Sequence, residues 1–117
     1  MTVPTTEEMS LLHGTLDVLV LKALTWGARH GYSVARWIKD QSDRAIVVED
    51  RALYVALHRL EEQGWVTGSW GVSENNRKAR YYELTTKGRQ QLKTKTSHWD
   101  AYARAIFKVL RSTEAPA

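Results

Sequence analysis

Cysteine is absent from the 117 residues of the chain. Its absence removes disulfide frameworks, thiolate zinc sites, iron–sulfur clusters and cysteine nucleophiles, and suits a reducing, cytoplasmic setting. An unbroken apolar run is also missing. The most apolar stretch, Leu11 to Trp26, is interrupted by His13, Asp17 and Lys22 and is shorter than the roughly 20 residues of a bilayer span, so no membrane is expected. The first nine residues carry Glu7 and Glu8 and lack the basic start and apolar run of an export signal. Gly-x-Ser-x-Gly, phosphate-loop and dinucleotide fingerprints do not occur, and His13, His30, His58 and His98 lack metal-ligand spacing. Ser97, His98 and Asp100 spell a triad by letter only, because neighbours on a helix point to different sides. No enzyme activity, cofactor or metal site is therefore expected.

What is present fits one folded domain. Hydrophobic residues make 43% and charged residues 26%, ordinary globular usage without repeats or low-complexity tracts. The net charge of +4 favours anionic partners. It is unevenly spread, with balances of −2 over residues 1–50, +1 over 51–85 and +5 over 86–117.

Apolar periodicity predicts the elements. Leu12, Leu16, Leu19, Val20, Ala23 and Leu24 recur at helical spacing, and Leu11, Val18 and Leu21 widen that stripe almost around the cylinder, so the first helix should be covered on several sides. A short second helix follows His30-Gly31, with Tyr32, Ala35 and Ile38 along one side. Ala45 to Val48 is β-favouring and reads as a bridging strand or extended turn before a third helix, whose start Glu49-Asp50 signals. In that helix Leu53, Ala56, Leu57 and Leu60 share the core face, leaving Arg51, Tyr54, Val55, His58 and Glu62 outward.

Beyond Gly64, two β-compatible runs, Trp65–Trp70 and Arg80–Leu84, flank a Gly, Ser and Asn loop and predict a hairpin with a long cationic tip bearing Arg77, Lys78 and Arg80. Tyr82 and Leu84 should share one face of it, Tyr81 and Glu83 the other. Thr85 or Thr86 caps a final long helix in which Leu92, Trp99 and Ile106 repeat every seven residues, with Tyr102 and Val109 between. Few earlier segments remain to cover that stripe, which points to a partner chain.

Helix, helix, short strand, helix and hairpin make a mainly α fold with a small β-hairpin: a winged helix-turn-helix plus a long C-terminal dimerisation helix. The expected divisions are a flexible segment at 1–9, the winged helix domain at 10–85, the dimerisation helix at 86–112 and a flexible tail at 113–117. A major groove about 12 Å wide admits one helix, and a cationic hairpin can neutralise phosphates beside it. DNA contacts are thus expected from Arg51, Tyr54, Val55, His58, Arg77, Lys78 and Arg80. The acidic pair Glu61-Glu62 should point the C-terminal end of the third helix away from phosphate. The alternative is a winged helix that binds protein rather than nucleic acid.

Four stretches resemble PadR-type transcriptional regulators: Leu12-His13-Gly14-Thr15-Leu16-Asp17 leading into Leu19–Leu24, then His30-Gly31-Tyr32, Leu53 to Glu61, and Asn75 to Thr85. They cover about residues 10 to 88, in the family's order and spacing. The chain departs from the family at Arg51-Ala52, where glycine followed by Ser or Thr is common, and at Val55, where proline is frequent. Ala52 lacks the hydroxyl for one expected phosphate contact, and Arg51 is the substitute at that end. The resemblance implies a homodimeric repressor on a pseudo-palindromic double-stranded operator, released by a small-molecule or stress signal. The single last helix looks like that of the family's compact branch, where it crosses to the other subunit near its first helix. A dimer seam, with a slot for a planar aromatic effector, is therefore expected at Leu12, Leu16, Leu92, Trp99, Tyr102, Ile106 and Val109.

Overall fold

The computed structural model describes residues 13–117, so Leu12 and the segment 1–9 lie outside the described residues. Among these residues, four helices and three strands run in the order α1 (His13–Ala23), β1 (Arg29–His30), α2 (Gly31–Gln41), α3 (Asp50–Glu62), β2 (Val66–Val72), β3 (Lys78–Leu84) and α4 (Thr86–Leu110). The order matches the expected winged helix, with one strand displaced. The sheet is antiparallel in the order β1-β3-β2.

As its wide apolar stripe requires, α1 is enclosed: Val20, Leu21 and Leu24 are fully buried, and Leu16 and Leu19 pack against the same cluster. Each such leucine withdrawn from water contributes about 1.5–3 kcal/mol. Helix α3 buries the four residues expected of it, Leu53, Ala56, Leu57 and Leu60. An ion pair spanning the layers joins these helices, the Arg59 guanidinium donating to both carboxylate oxygens of Asp17. Asp17 is buried and carries a charge, so this pairing is what makes its place in the core tolerable.

One expectation fails, and one pair of alternatives is decided. In α2 the buried residues are Gly31, Val34 and Ile38, whereas Tyr32 is 66% exposed. The helix begins at Gly31, with His30 as its cap accepting from the Ser33 N–H at 3.2 Å. Val34 and Ile38, four apart, then fix the inner face, and Tyr32, two residues before Val34, is turned to the other side. Residues 45–48, expected as a bridging strand or an extended turn, form no strand and follow a turn at 42–44. Asp43 and Arg44 take left-handed conformations, Ile46 N–H donates to Ser42 Oγ at 3.0 Å, and within the run only Val48 is buried. The free edge of β3 is instead occupied by Arg29 and His30, which pair with Tyr82 and Tyr81. Both edges of β3 are thereby taken, and the apolar run stays outside the sheet.

The hairpin strands extend further than expected: β2 reaches Val72 and β3 begins at Lys78, leaving a tip of only five residues. There Ser73 and Arg77 are joined by a backbone bond of 2.8 Å, and Asn76 adopts φ 57°, a conformation Asn tolerates better than most residues. Tyr82 and Leu84 are buried on one face, as expected, while Glu83 is exposed on the other.

Thr85 caps α4, its Oγ1 accepting from the Gly88 N–H at 3.0 Å. A Cβ added at Gly88 would lie 2.0 Å from the Trp65 carbonyl oxygen, so only glycine lets the helix leave the body this close to the hairpin base. Leu92 packs on the core and Lys95 lies over the Trp65 ring. The helix then projects, and the molecule reaches 62 Å along its longest axis. Residues 113–117 are exposed and lie outside any helix or strand.

Candidate nucleic-acid interface

The outward face of α3 and the underside of the hairpin meet in an open groove. Arg51, Tyr54, Val55, His58 and Glu62 line it from the helix, with Arg59 beside them and Tyr82 on the hairpin side. Tyr54 and Val55 are half exposed, and Arg51 and His58 are also at the surface. The N-terminal half of α3 thus offers a cation, a phenol, an apolar branch and an imidazole, a mixture able to contact both base edges and phosphates. Toward the other end His58 Nε2 lies 3.3 Å from Glu62 Oε1. An acidic side chain there disfavours phosphate, as the sequence anticipates.

At the hairpin tip, Arg77 and Lys78 are exposed. Arg80 is placed differently. Its Nη2 lies 2.7 Å from Glu61 Oε2, across the gap between β3 and α3, and this hydrogen bond raises its pKa above the ordinary value. Of the three hairpin cations expected together, two therefore project from the tip and the third is turned toward the recognition helix. Burial likewise pushes the phenol pKa of Tyr82 up, with Arg80 pulling the other way.

The seam residues are separated from this groove. Leu16 and Leu92 pack against the core, whereas Trp99, Tyr102, Ile106 and Val109 are all at least 41% exposed. Phe107 and Leu110 add to this surface, and the Trp99 and Tyr102 rings lie 5.8 Å apart. Asp100 is taken up by Arg104 at 3.0 Å, which leaves Ser97 and His98 without an acidic orienting group at that position.

The sequence model of the PadR-like family of transcriptional regulators matches residues 20–94. The chain belongs to that family. Solved structures similar to it include a transcriptional regulator from Clostridium thermocellum, 28% identical, with a TM-score of 0.77 over 85% of this chain and 96% of that one. Another is a PadR family transcriptional regulator from Eggerthella lenta, 27% identical, with a TM-score of 0.76 over 92% of each chain. An uncharacterised protein of Lysinibacillus sphaericus is 24% identical over 89 residues, 76% of this chain and 82% of its own.

This PadR-like protein is accordingly a DNA-binding winged helix of a transcriptional regulator family, and the groove beneath its hairpin is the candidate surface for that activity. Among the described residues, no helix is long and apolar enough to cross a membrane. Two features of the site escaped sequence reasoning. Trp70 is 62% exposed on the hairpin, with Lys78 Nζ 4.8 Å and Arg80 Cζ 5.7 Å from its ring centre. Strand alternation could have found it, because Val66, Gly68, Trp70 and Val72 share a face. The other is Glu61, which pattern alone marks as a repelled acid and the fold turns into the partner of Arg80.

Proposed function

We propose that the protein is a homodimeric repressor whose two α3 helices read successive turns of a pseudo-palindromic operator. The exposed apolar face of α4 carries this reading: among the described residues, Trp99, Tyr102, Ile106 and Val109 are left uncovered. A second copy covers such a stripe most economically, because a two-fold axis applies one self-complementary patch twice. It would place the two recognition helices about 34–36 Å apart.

Within each half-site, Arg51, Tyr54, Val55 and His58 enter the major groove, and Arg77 and Lys78 of the hairpin meet phosphates beside it. Exposure of Tyr54 and Val55 together with the acidic far end of α3 supports that polarity. Selecting bound duplexes from a random library with the purified protein supplies the operator, and a symmetric consensus is the expected result. An asymmetric or absent consensus contradicts the reading. By fluorescence anisotropy on that operator, Tyr54→Ala should weaken binding more than Glu62→Ala; the reverse order would invert the docked helix.

The paired Trp99 and Tyr102 rings would line a flat apolar slot between the two subunits, suited to a planar aromatic effector. Such a compound must bind the free and DNA-bound dimer geometries unequally to release the operator. Quenching of tryptophan emission by planar aromatics, lost in Trp99→Phe, is the expected signature. Equal quenching in that variant would place the ligand elsewhere.

A further inference from the structure

The hairpin cations differ in their surroundings. Arg77 and Lys78 lie at the exposed tip, with Lys78 Nζ 4.8 Å from the centre of the Trp70 ring. Arg80 is partly enclosed, its side chain 32% exposed. Its register partner is Trp70, two positions along from the Gly68–Tyr82 pair, so all four share the face turned toward α3. The guanidinium lies between two rings, with Cζ 5.7 Å from the centre of Trp70 and 5.8 Å from that of Tyr82. Glu61 Oε2 accepts from Arg80 Nη2 at 2.7 Å and from the Gly68 backbone N–H at 3.0 Å. One carboxylate oxygen thereby ties α3 to both strands of the hairpin.

Gly68 completes the cradle. A Cβ there would lie 2.6 Å from Arg80 Nε, 2.7 Å from Nη2 and 2.8 Å from Cζ, so the guanidinium occupies the space that any other residue would fill. The base of the hairpin is fixed where Val66, Tyr82 and Leu84 enter the core and where β1 pairs with Tyr81 and Tyr82. Beyond those β1 pairs the ribbon has two strands and can swing, and a contact 19 residues across the chain to the recognition helix restrains it. Pairing also cancels the charge of Glu61, which would otherwise face the same phosphates as the wing.

Resting on the reading that α3 and the wing engage one duplex, we propose that Arg80 is a positioning residue rather than a phosphate contact. The Glu61–Arg80–Gly68 junction sets the angle between recognition helix and wing, so that Arg77 and Lys78 reach the backbone while α3 is seated.

Salt dependence separates the two roles, because each phosphate contact removed lowers the slope of log affinity against log salt by about one. On the selected operator, Arg77→Ala should lower the slope by about one. Arg80→Ala should leave the slope unchanged while weakening operator binding about tenfold, the scale of one lost charge-assisted contact. Gly68→Ala, which retains both charges and the backbone N–H but displaces the guanidinium, should reproduce the Arg80→Ala loss. A slope reduced by about one in Arg80→Ala, with Gly68→Ala binding as the parent does, would make Arg80 an ordinary phosphate contact and overturn the proposal.

Hydrogen exchange in the free protein tests the junction without DNA. Amides of β2 and β3 should exchange faster in Arg80→Ala and Gly68→Ala and at parental rates in Arg77→Ala; parental rates in all three refute it. Parental protein that shows no salt-sensitive operator binding sinks the functional reading instead, and the junction then stands or falls on the exchange rates.

Discussion

Helices α3 and α4 are both amphipathic, and the fold treats them in opposite ways. Leu53, Leu57 and Leu60 of α3 are at most 1% exposed, whereas Ile106 and Val109 of α4 are 41% and 76% exposed. The first stripe is met by α1, α2 and the hairpin base; the second leaves the body beyond Leu92 and is exposed among the described residues. A periodic apolar face states that something must cover it, and chain length decides whether that cover is internal. With roughly one domain's worth of residues, the body is enclosed before α4 is half used, and its remaining turns are available for another copy.

That contrast breaks most visibly at α4. Ile106→Asp puts a charge in the stripe and should convert a dimer to a monomer by sedimentation velocity, with operator affinity falling on the order of a hundredfold as the second half-site is lost. A dimer that persists would show that the stripe is not the seam. In α3, Leu57→Ala should cost about 2–5 kcal/mol, the range for truncating a fully buried leucine, and lower Tm by the same amount at every protein concentration. On the proposed dimer, Val109→Ala should instead change Tm only in a concentration-dependent way. Thermal scans at two concentrations differing a hundredfold separate the two behaviours.

Gly88→Ala sharpens the comparison where the two regions join. The added methyl group collides with the Trp65 carbonyl, so a loss of about 1–3 kcal/mol is expected, with a wider angle between α4 and the body in small-angle scattering. An unchanged Tm would mean that the junction yields freely. The smallest effect concerns the body alone. Burial raises the Tyr82 pKa above its ordinary value of 10.0, so its contribution to folding is full below the unfolded value and is lost as pH climbs through the raised folded one. Tyr82→Phe should therefore show a flatter decline of stability above about pH 10 in urea titrations; an equally steep decline would assign the effect to other groups.

Much of the interface could be read from spacing. Arg51, Tyr54, Val55 and His58 stand outward because Leu53, Ala56, Leu57 and Leu60 stand inward, and a 3.6-residue period leaves no other arrangement. Arg77 and Lys78 project because they border a tight polar tip. Tyr32 was misplaced because the start of its helix depends on the His30 cap, and one residue of phase turns a side chain by about 100°. The strand at Arg29–His30 is too short, at two residues, to carry a detectable alternation, whereas Ala45 to Val48 carries β propensity and the fold leaves it outside the sheet.

By itself, the sequence determined which segments coil or extend, which face of each is apolar, and that no thiol chemistry is available. Those are local properties, written in residue type and period. Only the tertiary structure decided that Arg80 turns to Glu61, 19 residues away, and that Asp17 meets Arg59, 42 residues away. Such pairs depend on how the intervening turns route the chain, and a charge cannot announce its partner until the backbone has brought the two within hydrogen-bond reach.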